Sequence, residues 1–260
     1  MPPKLDSGVI DSHVHMGNSI YGDSLSDRDF IRKMNRNGVE TAVVSSFTPE
    51  DLDFEKANSS IRKMVRKYPK RFIGSITVDP RTTKTAIAIL KKFLKTREFT
   101  SISLHPFEQS FKVNGEFAFS IYELAENFDC PVFLEAGYPI VSLPFQVAEA
   151  SREYKKVKFV MTHCGQMEAT GMSESEAYSS IVENPNIYAE TSQVILTGVG
   201  GFIEQLARHK DRNMQSRIIF GSNSPFGDLA LELMRVRFSN ISNEIKEKIF
   251  SKNAKVLFGL

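Results

Sequence analysis

Val9-Ile10-Asp11-Ser12-His13-Val14-His15 decides how this chain is read. The run is β-rich, and side chains along a strand alternate, so residues two apart share a face. Asp11, His13 and His15 are expected to project together. If this strand is the first stave of a closed barrel, that face is the interior and His15 lies at the C-terminal mouth. Two imidazoles converging on one point suit a divalent metal. A chance alternation in a polar loop would look the same by itself, so the rest of the chain has to arbitrate.

Outward from that run, short β-rich segments alternate with helical patterns. Strands are expected at 9–15, 40–46, 72–78, 99–105, 131–135, 157–163, 186–191 and 217–222. Helices are expected at 27–36, from the Thr48-Pro49-Glu50-Asp51 opening to about Tyr68, and at 83–94, 117–128, 144–154, 175–183 and 201–208. Ser26 is a suitable N-cap for the first of these. Two more helices, 229–237 and 243–257, close the chain. Strict alternation implies a parallel sheet. Eight strand-then-helix units point to an α/β fold of the (β/α)8 TIM-barrel kind, with an additional C-terminal helix. No linker, repeat or composition shift divides the chain, so 1–260 is expected to form a single domain.

Composition narrows the function classes. The 260 residues carry a net charge of +2, with 41% hydrophobic and 25% charged residues. Interspersed charges of this kind give no footprint for nucleic acid or membrane. Pairs such as Lys91-Lys92 and Lys155-Lys156 read as solvated faces. The two cysteines, Cys130 and Cys164, suggest neither a disulfide framework nor a thiolate site. Met1-Pro2-Pro3-Lys4 lacks the apolar run of a signal peptide, and the expected location is cytoplasmic.

In a barrel enzyme, catalytic groups come from the ends of several strands. His105 ends the fourth strand, Glu135 the fifth, His163 the sixth and Glu190 the seventh, and Asn223 follows the eighth. Four of the five histidines fall at such ends. His209 beside Lys210-Asp211-Arg212 reads as surface.

These blocks carry a resemblance. "IDSHVH" (10–15), "RFIGSITVDP" (71–80), "SISLHPFEQSF" (101–111), "KFVMTHCG" (158–165), "NIYAETS" (186–192), "RIIFGSNSPFGD" (217–228) and "NAKVLFGL" (253–260) make the chain resemble the amidohydrolase-2 family. That branch includes aminocarboxymuconate-semialdehyde decarboxylase and related decarboxylases and hydrolases. The resemblance implies a distorted barrel with one divalent metal, often zinc, and C–C cleavage, decarboxylation or hydrolysis of small carboxylated compounds. It makes His13 and His15 first-strand metal ligands and His163 an acid–base or polarising group.

Two positions depart from the family pattern. Its fifth-strand histidine is Glu135 here, and its eighth-strand aspartate is Asn223, which can coordinate through oxygen but cannot act as a base. The number of negative charges is unchanged; the charge has moved from strand eight to strand five. The expected site is therefore His13, His15 and Glu135 around one divalent metal, zinc first, with manganese or iron as alternatives. Glu135 or His163 would serve as base, with Asn223 beside them. His105, Tyr138 and Glu190 are expected at the substrate.

Other residues have paired readings. Asp11 is either a hydrogen-bond partner of a ligand histidine or a barrel-bottom contact. Glu190 is either a site contact or a structural salt bridge. Phe107, Gln109 and Phe111 line the pocket or pack beneath it, and Cys164 is packing. Arg81 and Lys112 are cations available to a substrate carboxylate.

The expected function is metal-dependent hydrolysis or decarboxylation of a small organic acid, lactone, ester or amide. The alternatives are metal-free catalysis, or a catalytically silent barrel that binds a ligand or partner through the same pocket. Expected partners are a small-molecule substrate and a second copy in a homodimer, without nucleic acid or membrane.

Overall fold

The computed structural model describes residues 8–167, 173–194, 201–209 and 213–260. The end of the loop expected after Cys164, the Lys210-Asp211-Arg212 turn and the first seven residues lie outside these.

Eight parallel strands form the barrel wall: β1 (Val9–Asn18), β3 (Val39–Ser46), β4 (Phe72–Thr77), β5 (Phe99–Leu104), β6 (Val132–Leu134), β7 (Phe159–Met161), β8 (Ile187–Glu190) and β9 (Ile218–Ile219). A two-residue strand, β2 (Ser24–Leu25), folds back antiparallel on the end of β1. Main-chain bonds close the circle, from Ser12 N to Phe220 O at 2.9 Å and from Asn223 N to His13 O at 2.9 Å. His15 N donates to Ser224 O at 2.8 Å on the same seam.

The staves are almost wholly buried, because helices cover the outside and side chains fill the inside. Outward-facing Val44, Phe72, Ile102, Leu134 and Met161 join the large cluster beneath the helices. Inward-facing Ile10, Val43, Phe133, Val160 and Ile219 form a separate cluster with Leu257 and Phe258. Those last two belong to the C-terminal helix α10 (Asn253–Phe258), which closes the barrel bottom. Phe258 stacks on Phe133 at 6.1 Å, and Phe133 lies 6.2 Å from the His13 ring. The site is thus built on an apolar plug.

Helices α1 (Asp27–Asn37) and α3 (Thr83–Leu94) follow the expectation closely. Ser26 caps α1 by accepting from Asp29 N, and Gly38 ends it at φ 73°, a conformation that glycine adopts without a Cβ penalty. The Thr48-Pro49-Glu50-Asp51 segment does not open a helix. Asp53 provides the cap, and α2 runs over Phe54–Lys67. The expected 243–257 helix is broken into α9 (Asn243–Glu247), a π turn at Lys248–Lys252, and α10.

The alternation assumed for β1 is interrupted. Its pairing with β3 shifts register between Val9 and Ile10 and again between Asp11 and Val14. Ile10 therefore packs into the barrel interior, and Asp11 leaves the histidine row. No helix among the described residues is long and apolar enough to cross a membrane.

Candidate metal centre at the barrel mouth

β1 delivers His13 and His15 to the interior, and the end of β6 delivers Glu135 opposite them. His13 Nε2 lies 2.7 Å from Glu135 Oε1, and His15 Nε2 lies 3.5 Å from the same oxygen. The two Nε2 atoms are 3.1 Å apart. All three side chains are buried, and their donor atoms lie within 4.8 Å of one another.

The surrounding hydrogen bonds fix which atoms face the centre. Glu190 Oε2 sits 3.2 Å from His13 Nδ1. A carboxylate only accepts, so the Nδ1 proton points there and Nε2 is the ring atom that faces the centre. Ser45 Oγ is 3.2 Å from His15 Nδ1 and donates to Val14 O, which leaves it to accept from Nδ1–H and again frees Nε2. Glu135 Oε2 takes His163 Nε2 at 2.8 Å and Thr162 Oγ1 at 3.1 Å. Its other oxygen, Oε1, faces the two imidazole Nε2 atoms, 2.7 Å from that of His13 and 3.5 Å from that of His15. Two imidazole nitrogens and one carboxylate oxygen converge on one point, and a divalent cation fits that donor set.

The electrostatics agree. Burial depresses the His13 imidazole, but the charges and hydrogen bonds of Glu135 and Glu190 outweigh it and raise the group to about 10. The point among the donors thus holds positive charge even as a proton. Burial lowers His15. Burial opposes the Glu135 charge, yet His13, His15 and His163 hold that carboxyl well below the usual range.

Above the centre opens a cavity of about 400 Å³. His15, Glu135 and Asn223 form its floor, His105 and Glu108 one side, and Tyr21, Phe107, Tyr138 and Phe226 its aromatic walls. Phe107 stacks on Tyr138 at 5.1 Å, and Phe226 meets His15 edge-on at 6.0 Å. Among the described residues, no lysine or arginine lines it. A family model described as amidohydrolase matches residues 10–260. The chain belongs to the amidohydrolase family. It is an enzyme of the amidohydrolase type.

Solved structures share this amidohydrolase barrel. The 2,6-dihydroxybenzoate decarboxylase from Rhizobium superposes with a TM-score of 0.75 at 14% identity, over 97% of this chain and 98% of its own. The 5-carboxyvanillate decarboxylase from Novosphingobium aromaticivorans DSM 12444, complexed with manganese and 4-hydroxy-3-methoxy-5-nitrobenzoic acid, gives 0.74 at 16%, over 98% and 97%. A dihydroxybenzoic acid decarboxylase from Polaromonas sp. JS666, with manganese and 2-nitroresorcinol bound, gives 0.74 at 17%, over 97% of each chain. At these identities the likeness is one of fold.

The expected site residues separate into two layers. His13, His15, Glu135, His105, Tyr138 and Asn223 meet at the centre or the cavity wall. His163 and Glu190 lie beneath. The end of the sixth expected strand is a 3-10 turn, Thr162–Gly165, with His163 at φ 56°. Both its ring nitrogens are engaged, Nε2 by Glu135 and Nδ1 by Ser192 Oγ at 2.9 Å. It is fully buried, so it reaches a reacting atom only through Glu135. Glu190 likewise is fully buried, accepting from Ser192 N and His163 N as well as His13. Asp11 touches neither imidazole; it accepts from Ser222 N, Ser222 Oγ and His13 N.

Gln109 and Phe111 are buried and are not among the residues lining the cavity, and Arg81 is paired with Asp79. Cys164 is buried with its thiol toward Glu190 O. His209 is half-buried and bonded to Tyr178 at 3.0 Å. Sequence reasoning missed Glu108, Gln193 and Phe226 at the cavity. Glu108 alone had a local signal, lying three residues beyond His105 in the same turn.

Proposed function

We propose that this chain is a metal-dependent carboxy-lyase for a small ring-bearing carboxylate. The observation that carries the reading is the convergence of His13, His15 and a Glu135 oxygen at an aromatic-lined cavity that, among the described residues, has no cationic side chain. His13 Nε2, His15 Nε2 and Glu135 Oε1 would hold one divalent ion. Manganese is the first choice, since manganese occupies fold relatives; zinc and iron suit the same donors. Bound there, the ion supplies Lewis acidity to an anionic substrate group.

The protein supplies the rest. Tyr138, Phe107 and Phe226 present flat apolar faces that take a ring and exclude water. His163 and Thr162 hold Glu135 Oε2, which leaves Oε1 for the centre. Loss of carbon dioxide requires a proton at the vacated carbon. His105 and Glu108 are positioned to hold one: His105 Nε2 lies 3.5 Å from Glu108 Oε1, and both line the cavity. Burial raises Glu108 above the usual carboxylate range, so it carries a proton more readily than an exposed acid. Asn223 cannot take that role.

The coarser class, hydrolase or decarboxylase, rests on family membership; the choice of decarboxylation rests on this cavity. The test is a panel of hydroxybenzoic acids, lactones and amides with manganese-loaded protein. Carbon dioxide release from an aromatic acid, abolished by a chelator and restored by manganese, is expected. Ring opening or amide cleavage alone would replace this reading with hydrolysis, and no turnover of any of these compounds would sink it.

A further inference from the structure

We infer that Gln193 is a positioning residue, one that fixes the side-chain amide of Asn223 with its oxygen turned to the metal centre as a neutral donor. The inference rests on the metal-dependent reading above.

A main-chain carbonyl can only accept a hydrogen bond. Gln193 Nε2 lies 3.3 Å from Phe226 O, so this end of the amide must be the NH2 group. Gln193 Oε1 therefore faces Asn223, whose Nδ2 donates to it at 2.8 Å. Reversing both amides would set Gln193 Oε1 against the Phe226 carbonyl, two acceptors with no proton between them. One carbonyl thus orients two side chains in sequence. At the end of the relay Asn223 Oδ1 is buried with no hydrogen-bond partner among the described residues, in a residue only 4% exposed.

The backbone holds the relay in place. Gln193 N donates to Glu232 Oε2 at 3.1 Å, and Gln193 adopts φ 51°. Asn223 has the same φ of 51°, and its N–H bonds His13 O at 2.9 Å across the barrel seam. The amide is therefore tied to the strand that carries the two histidines. Gln193 and Asn223 line the same cavity as His15 and Glu135.

Buried carbonyls without partners are uncommon and call for an explanation. A cation at the centre supplies one, since an amide oxygen is a competent hard donor. On this account Asn223 is one half of a matched pair. An aspartate at 223 would set a second acceptor against Gln193 Oε1, so the exchange of carboxylate for amide on this strand goes together with the glutamine beside it.

The test titrates Mn²⁺ into the purified full chain by calorimetry. It uses wild type, Gln193→Met, Asn223→Ala and the double variant, and follows urea unfolding of each without metal. Gln193→Met keeps the length of the side chain and removes both amide groups; Gln193→Leu makes the same deletion should the first variant not fold. Partners that orient a ligand typically contribute about 10- to 100-fold in metal affinity, and each single variant is expected to weaken Mn²⁺ by that range. The double variant is expected to bind no more weakly than Asn223→Ala, because Gln193 acts through Asn223. A purely structural role would lower the unfolding midpoint without this interdependence. Additive losses, or unchanged affinity in Gln193→Met beside a wild type that binds, overturn the inference alone. A wild type that binds no Mn²⁺ overturns the metal-dependent reading and this inference with it.

Discussion

Glu135→Gln removes the only carboxylate among the three converging donors while keeping the shape of the side chain. The carboxylate now lies 2.7 Å from His13 Nε2. At an effective dielectric constant of about 20, unit charges at that separation attract by about 6 kcal/mol. A divalent ion between the same groups feels at least as much, offset by the cost of desolvating it. Even two-thirds of the attraction is about 4 kcal/mol, or roughly a thousandfold in affinity. The glutamine amide can still accept from His163 or Thr162, so the barrel is expected to fold. The assay is metal content by mass spectrometry after dialysis, with Mn²⁺ calorimetry alongside. A Kd raised about a thousandfold and loss of bound metal are expected; full occupancy at the wild-type Kd would refute the assignment of Glu135 as a ligand.

Three further outcomes are expected. Metal binding must displace the proton that His13 holds, with its pKa raised to about 10; below that value Mn²⁺ affinity should rise about tenfold per pH unit between about pH 6 and 8, and a flat profile by calorimetry would contradict the shared position. Glu190→Gln takes the carboxylate from His13 Nδ1 and should weaken Mn²⁺ about 10- to 100-fold, measured with the same titration; an unchanged Kd would leave Glu190 a purely structural partner. Glu232, raised by burial to about 7, is favoured uncharged in the fold, so its contribution is fully present below about pH 4.5 and lost as pH rises through about 7; Glu232→Gln should therefore gain up to about 3 kcal/mol at pH 8 and little at pH 4.5, read from urea unfolding at the two pH values, and an equal change at both would exclude a buried acid.

The barrel was legible because its signals are local. Each stave is a short run buried on both faces, each helix shows its own periodicity, and eight such units in alternation leave few other architectures. What escaped the sequence depends on tertiary pairing. The strand Ser24–Leu25 has only two residues and exists because the end of β1 extends past the barrel rim to receive it. The register shifts within β1 arise where it meets β3 and the seam with Ser222 and Asn223, so strict alternation could not foretell that Asp11 would turn to Ser222.

The same division holds at the site. His13, His15 and Glu135 could be found because strand ends at a barrel mouth converge whatever the loops do. The place of His163 after the sixth strand was legible, but its depth was not, because the chain leaves β7 through a turn at positive φ. Gln193 and Phe226 lie in loops whose approach to Asn223 no spacing encodes. Glu108 lies in a loop without strand or helix periodicity to assign it a face, although its offset from His105 is about one helical turn.

The most direct test of the account is an anomalous-scattering map from a crystal soaked in Mn²⁺ and measured at the manganese edge. A single peak bonded to His13 Nε2, His15 Nε2 and Glu135 Oε1 is predicted, with Asn223 Oδ1 turned toward it. No peak at that position, or a peak held by other residues with Glu135 still paired to His13, would contradict it.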